Sequence, residues 1–316
     1  MSSQTIEIDN NKLGVAIQYF RETYQVSQFR LCKGLCSIAT LSRIESGERD
    51  VDLLLLETIL ERLGKTPNQF ELILTDLDYK FYQKREALKS LIKNKQIEEV
   101  ESLLNTYEKM AYKKGNVHKQ FIMRCKALLN ELQGGEINIT LDLLMQAITY
   151  TVPGFKTNKI QEYYLSNSEL NIIIDIIQRL ISMGDRNRAK ELIYQVLSYL
   201  DDHNSMEKSD ILYPKVAIIA CKLLIKNNDY AKALKLCNKG LDKTKGTRKL
   251  DFLGDLYLIK AQAMEAIQKV NNVSKPEEYL KLYLQAYYIY EFCDEIESAN
   301  NIKQHLQEEY QWECIG

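Results

Sequence analysis

Residues 21–49 run Arg21-Glu22-Thr23-Tyr24-Gln25-Val26-Ser27-Gln28, then Leu31-Cys32-Lys33-Gly34-Leu35-Cys36-Ser37, then Leu41-Ser42-Arg43-Ile44-Glu45-Ser46-Gly47-Glu48-Arg49. Leu31, Leu35, Leu41 and Ile44 form an apolar seam that holds two short helices at a steep angle, and Gly34, Cys36 and Ser37 supply the turn between them. Ser27 and Ser37 are N-caps, because a hydroxyl there accepts a hydrogen bond from a free backbone N–H. Gly47 stops the second of the two helices. Working outward, the spacing predicts five helices, over 13–24, 27–35, 38–46, 52–63 and 67–74. Gly64 ends the fourth, and Thr66 with Pro67 opens the fifth.

The third helix presents Ala39, Thr40, Ser42 and Arg43 on its free side, near its start. A helix of that size fits the major groove of DNA, where N-terminal residues reach base edges. Ser37 and Gln28 stand at helix starts, where side chains and unpaired N–H groups bind phosphates. Arg30, Lys33 and Arg49 add charge contacts to the backbone. Residues 21–49 hold five basic groups against three acidic ones. The competing reading is an ordinary bundle of short helices with a solvated Arg43.

This segment resembles the repressor-type helix-turn-helix of phage repressors and many bacterial regulators. Leu-Cys-x-Gly-Leu-Cys-Ser followed by Leu-Ser-Arg-Ile-Glu-x-Gly is closer still to the peptide-pheromone regulators of Gram-positive bacteria, the Rgg/PlcR/PrgX type. That resemblance implies a pairing of Arg21 with Glu45. It also implies an array of tetratricopeptide-like helix pairs after the head, a homodimer on double-stranded operator DNA, and a short signalling peptide as effector.

The remainder fits the implied array. Helix pairs are predicted at 77–93 with 96–112, 117–132 with 136–150, 168–183 with 185–200, 212–226 with 229–241, and 250–270 with 275–293. A last helix is predicted at 299–312. The second helices start at 96, 136, 185 and 229, spaced 40, 49 and 44 residues apart, within the range of helical solenoids. Tyr230-Ala231-Lys232-Ala233-Leu234 is the best single match to the repeat. The expected fold is therefore all-α, with a helix-turn-helix head over 1–75 and an α-solenoid over 76–316 for effector binding and dimerisation. Asparagine amides offer both a donor and an acceptor to an extended peptide. The candidate peptide contacts are Asn167, Asn171, Gln178, Lys215, Lys222, Tyr257 and Lys260, all on first helices of their pairs. For the first three the alternative is helix capping by Asn167 and solvent exposure of Asn171 and Gln178.

Composition narrows the rest. The 316 residues carry 13 Gly and 4 Pro, so few breakers interrupt the helices. The net charge of −1 puts any DNA binding on a local site. No apolar run of about 18 residues predicts a membrane span. The start, residues 1–13, reads as neither a signal peptide nor a basic arm. The seven cysteines read as free thiols of a cytoplasmic protein, because Cys32 and Cys36 lack a second ligand pair for zinc. No phosphate loop, nucleophile elbow or His-Glu-x-x-His motif points to an enzyme, and no cofactor is expected. The other functional class in play is a repeat scaffold that binds a protein partner.

Overall fold

The computed structural model describes residues 10–65, 75–202, 207–247, 250–272 and 275–310. Among them are fifteen α-helices and no strand. The helix expected at 67–74 lies outside the described residues, as does Cys314. The head holds α1 (Asn10–Thr23), α2 (Gln28–Cys32), α3 (Ile38–Glu45) and α4 (Leu53–Arg62). Then follow α5 (Asp76–Lys93), α6 (Ile97–Met110), α7 (Asn116–Leu132), α8 (Ile137–Thr151), α9 (Asn167–Ser182) and α10 (Arg186–Asp202). The last five are α11 (Glu207–Lys226), α12 (Tyr230–Thr247), α13 (Leu253–Val270), α14 (Pro276–Phe292) and α15 (Ile296–Tyr310).

Local chemistry sets the boundaries. Ser27, Ser37, Asp52 and Thr75 each accept a backbone N–H at the start of α2, α3, α4 and α5. Asp52, expected inside its helix, is the cap that precedes it. α2 stops at Cys32 rather than at residue 35. Gly34 takes a left-handed φ of 78° there, which a residue with a Cβ adopts only at a cost. At α9 the cap is Ser166, in a reciprocal capping box with Glu169, so Asn167 is the first helical residue and not the cap.

The chain divides into two compact units, Met1–Tyr199 and Leu200–Gly316. In the first, Ile17, Leu31, Leu41, Ile44, Ile59 and Leu60 form the core of the head, and Val117 of α7 joins the same cluster. Leu31 and Leu41 are fully buried, and truncating such a leucine to alanine costs about 2–5 kcal/mol. A neighbouring cluster unites Phe81, Leu88, Val100, Leu104, Tyr107 and Cys125 of α5, α6 and α7. In the second unit, Cys221, Ala233, Cys237 and Leu256 join α11, α12 and α13. Tyr279, Tyr283, Ala286 and Ile302 join α14 to α15, so these tyrosines serve the core.

Candidate functional site

The head is braced at one carboxylate. Arg21 reaches Glu45 with both Nε (2.7 Å) and Nη2 (3.1 Å), and Gln28 donates to the same carboxylate at 2.7 Å. Glu45, on the last turn of α3, is buried. Three elements are thus pinned to one group, and the pair implied by the sequence resemblance is present. Gln28 commits one amide hydrogen to this brace, which leaves less of it for a phosphate than the sequence suggested. The crossing of α1 over α3 is close: a methyl group at Gly14 would collide with the carbonyls of Ile44 and Glu45.

The brace leaves the other side of α3 free. Ser37, Ile38, Ala39, Ser42 and Arg43 are exposed, and Thr40 is half-buried. Thr40 is held by Ser37, whose hydroxyl accepts its N–H at 3.0 Å and meets its Oγ1 at 2.9 Å. Arg49 donates to Thr40 Oγ1 at 3.4 Å. Arg30 on α2 and Lys33 just past its end are exposed, and the Arg30 guanidinium lies 4.8 Å from the centre of the Tyr164 ring. The structure therefore groups Ser37, Ala39, Thr40, Ser42, Arg43 and Arg49 around one helix, with Arg30 on the helix before it and Lys33 at that helix's C-terminal end.

The candidate peptide residues divide between the two units. Asn167, Asn171 and Gln178 lie on α9 in the first. The Asn167 N–H donates to Glu61 at 3.0 Å, and its side-chain Oδ1 is buried without a partner. Asn171 donates to the Asn167 carbonyl at 2.9 Å. In the second unit Lys215, Tyr257 and Lys260 are half-buried and Lys222 is exposed, paired with Asp255 at 3.2 Å. Tyr257 packs against both apolar clusters of that unit.

A cavity of about 470 Å³ opens in the second unit, and none of those four residues lines it. Its apolar wall includes Ile225, Leu258 and Ile302, and its polar side carries Gln262, Lys269, Asn301 and His305. Buried Glu265 anchors it. Tyr283 and Tyr310 donate to that carboxylate at 2.6 and 2.7 Å, Lys269 lies at 2.7 Å, and His305 Nε2 at 3.3 Å. Burial alone raises a carboxyl pKa, but here the bonds from Lys269, Tyr283 and Tyr310 outweigh it and hold Glu265 at about 2.

A profile of the RNPP family C-terminal domain matches residues 85–310. The chain belongs to the RNPP family. No curated protein matches it, but solved structures do. Bacillus thuringiensis PlcR in complex with the peptide PapR7 and DNA has a TM-score of 0.58 at 18% identity, covering 92% of this chain and 99% of PlcR. The apo form of the same protein gives 0.57 at 18%, covering 93% and 98%. The apo form of ComR from S. thermophilus gives 0.49 at 17%, covering 94% and 98%.

Two features of this RNPP chain escaped the sequence reading. One is Ile38, exposed at the start of α3. The other is the Glu265 cavity, whose lining on α13 falls at 258, 262, 265, 266 and 269, one stripe of the helix, whereas Tyr257 and Lys260 lie off it. The available signal was an acid inside an apolar stripe, beside the tyrosine-rich α14. Among the described residues no group of His, Cys, Asp and Glu is arranged to hold a metal. Cys32, Cys125, Cys221 and Cys237 are buried, Cys36 is half-buried and Cys293 exposed, all as free thiols. Burial pushes the Cys36 thiol up to about 11, which keeps it protonated and unreactive. No helix among the described residues is long and apolar enough to cross a membrane.

Proposed function

We propose that the chain is a cytoplasmic, sequence-specific DNA-binding transcription regulator controlled by a short signalling peptide. Residues 1–75 are its DNA-binding head, and residues 76–316 carry effector binding and homodimerisation. The observation that carries this reading is α3: a short helix braced from behind through Arg21, Gln28 and Glu45, with Arg43, Ser42 and Ala39 turned to solvent. A scaffold that bound only a protein partner would leave that presented face unused. Family membership over residues 85–310, and the likeness to a PlcR crystallised with a peptide and DNA, support the combination.

On DNA, Arg43 suits a guanine edge, and Ile38 and Ala39 suit a thymine methyl. Ser37, Ser42, Thr40, Gln28, Arg30, Lys33 and Arg49 are the remaining contacts to bases and phosphates. One such head buries too little surface for tight selective binding, so the regulator acts as a homodimer on an inverted repeat. The peptide, about 5–10 residues long and mostly apolar, is bound by the repeat helices. The Glu265 cavity supplies apolar side chains together with the amides of Gln262 and Asn301, the composition of a ligand site. Asn167, Asn171 and Gln178 on α9 form the second set of candidate contacts, each set open to its own test. No step of this function requires catalysis.

The test is fluorescence anisotropy with duplexes from the promoter of the chain's own gene, with and without peptides encoded beside that gene. We expect preference for one inverted-repeat duplex over random sequence. We also expect a peptide-dependent change in affinity of about 5- to 150-fold, the usual range of a coupling between two sites. Equal affinity for all duplexes overturns the DNA reading. An affinity untouched by every such peptide overturns the sensing reading.

A further inference from the structure

The segment between α8 and α9, residues 152–166, belongs to the repeat part of the chain, yet it is built against the head. At one end, a methyl group on Gly34 of the helix-turn-helix turn would strike the Thr151 carbonyl and the ring of Pro153. At the other, Tyr164 lies under Arg30. Between these ends, Ser27, Arg30 and Lys33 of the head and Glu162, Tyr163 and Tyr164 of the loop line one cavity of about 450 Å³.

The loop is ordered by its own contacts. Tyr163 Oη accepts the Lys156 N–H at 2.9 Å and donates to the Gly154 carbonyl at 3.4 Å. Its ring packs on Phe155 at 5.8 Å. Gln195 accepts the Ile160 N–H, and Tyr199 accepts the Leu165 N–H. Phe155, Ile160 and Leu165 are buried, while Lys156 and Lys159 stand exposed. The loop, α2 and its C-cap Lys33 together hold four cations, Arg30, Lys33, Lys156 and Lys159, against the single carboxylate of Glu162, which Lys159 pairs at 2.7 Å. Glu162 lines the same cavity as Arg30 and Lys33, so in a chain of net charge −1 the Lys159–Glu162 pair stands beside two further cations.

We propose that the loop between α8 and α9 is part of the DNA-binding surface and meets the phosphate backbone that flanks the site read by α3. The proposal rests on the DNA-binding reading above. Its basis is the loop's fixed seat beside α2 and its exposed lysines, since clustered Lys and Arg are the electrostatic footprint of a phosphate contact. A phosphate contact carries no sequence information. The loop therefore adds affinity and salt dependence, not specificity, and it travels with the head because both its ends are fixed there.

The test is the salt dependence of duplex binding by the full chain, with the helix content of each variant checked by circular dichroism. Each phosphate that a variant no longer neutralises lowers the slope of log affinity against log salt by about 0.9. We expect Lys156→Ala/Lys159→Ala to reduce the slope by about 1 to 2 and to weaken promoter and random duplexes by the same factor. Glu162→Gln, which removes the loop's carboxylate, should strengthen both. An unchanged slope in the double variant, with wild type binding normally, overturns the loop proposal and leaves the DNA reading standing. Weakening confined to the promoter duplex also overturns it, because that is base readout. A wild type that binds no duplex overturns both readings.

Discussion

The guanidinium of Arg62, at the end of α4, meets the carboxylate of Glu169, in the first turn of α9, at 2.6 Å, with 2% and 0% of the two side chains exposed. The other donors of Arg62 go to the carbonyls of Leu31 (2.9 Å), Lys33 (2.8 Å) and Thr151 (2.8 Å), and Nε to Glu169 again at 3.3 Å. One side chain therefore ties the end of α2, α4, the end of α8 and the start of α9 together. Burial opposes the charge on Glu169, but the Arg62 charge and its hydrogen bonds outweigh it and lower the carboxyl pKa. Asn116 completes the tie by donating to the Gly34 carbonyl at 2.9 Å.

Removing one member of a buried ion pair strands the other, at about 3–5 kcal/mol. Glu169→Gln and Arg62→Met should each lower unfolding stability by that amount, measured by urea denaturation of the first unit's signal in the full chain. Arg62→Met also strands three carbonyls and should be the worse of the two. A loss below about 1 kcal/mol, the scale of an exposed ion pair, would count against this account.

Glu61, one residue before Arg62, should give the opposite pH signature to a salt-bridged acid. Burial pushes its carboxyl up, the N–H groups of Ser168 and Asn167 pull it back, and Glu57 and Glu169 add repulsion, leaving it at about 7. An acid raised in the folded state holds a proton there that the unfolded chain has already released. Its contribution to stability therefore falls as pH rises from about 4.5, the ordinary glutamate range, to about 7, and is flat above that. Denaturation midpoints at several pH values should show that Glu61→Gln flattens this slope. A variant with the wild-type profile would refute the assignment.

Arg43→Ala should weaken binding to the promoter duplex by about 1–3 kcal/mol, the worth of a bidentate base contact, and leave random-sequence binding nearly unchanged. Arg43 is exposed, so thermal stability should stay at the wild-type value. Equal weakening on every duplex would move Arg43 from base reading to phosphate contact.

Calorimetry with a bound peptide separates the two candidate effector sets. If the Glu265 cavity holds the peptide, Gln262→Ala and Asn301→Ala should each cost about 1 kcal/mol, the net worth of one hydrogen bond. Asn171→Ala tests α9 in the same way. A peptide that binds Gln262→Ala and Asn301→Ala as it binds wild type places its site elsewhere on the repeats.

The head was legible because its determinants are short-range. Leu31, Leu41 and Ile44 recur at helical spacing, Ser37 and Gly47 mark the ends of α3, and only the Arg21–Glu45 pairing needed a known family pattern. The repeat helices were legible from apolar periodicity and short turns. Two things were not. The stripe Leu258, Gln262, Glu265 and Lys269 becomes a cavity wall only when α15 covers it with Asn301 and His305, and α13 alone gives no sign of which stripe is covered. The seat of the loop on the head is set by residues far apart in sequence, such as Arg62 with Glu169 and Gly34 with Thr151, which leave no local pattern.

The tight fit of Gly34 against Thr151 and Pro153 bears on modularity. Transplanting residues 1–75 onto another regulator's repeats, or expressing them alone, takes away the acceptors that Thr151 and Glu169 supply to Arg62 and exposes its charge to solvent. A functional chimera of this regulator would have to carry the loop between α8 and α9 and the first turn of α9 with the head. Its transferable unit is a discontinuous one, cut from two places in the gene.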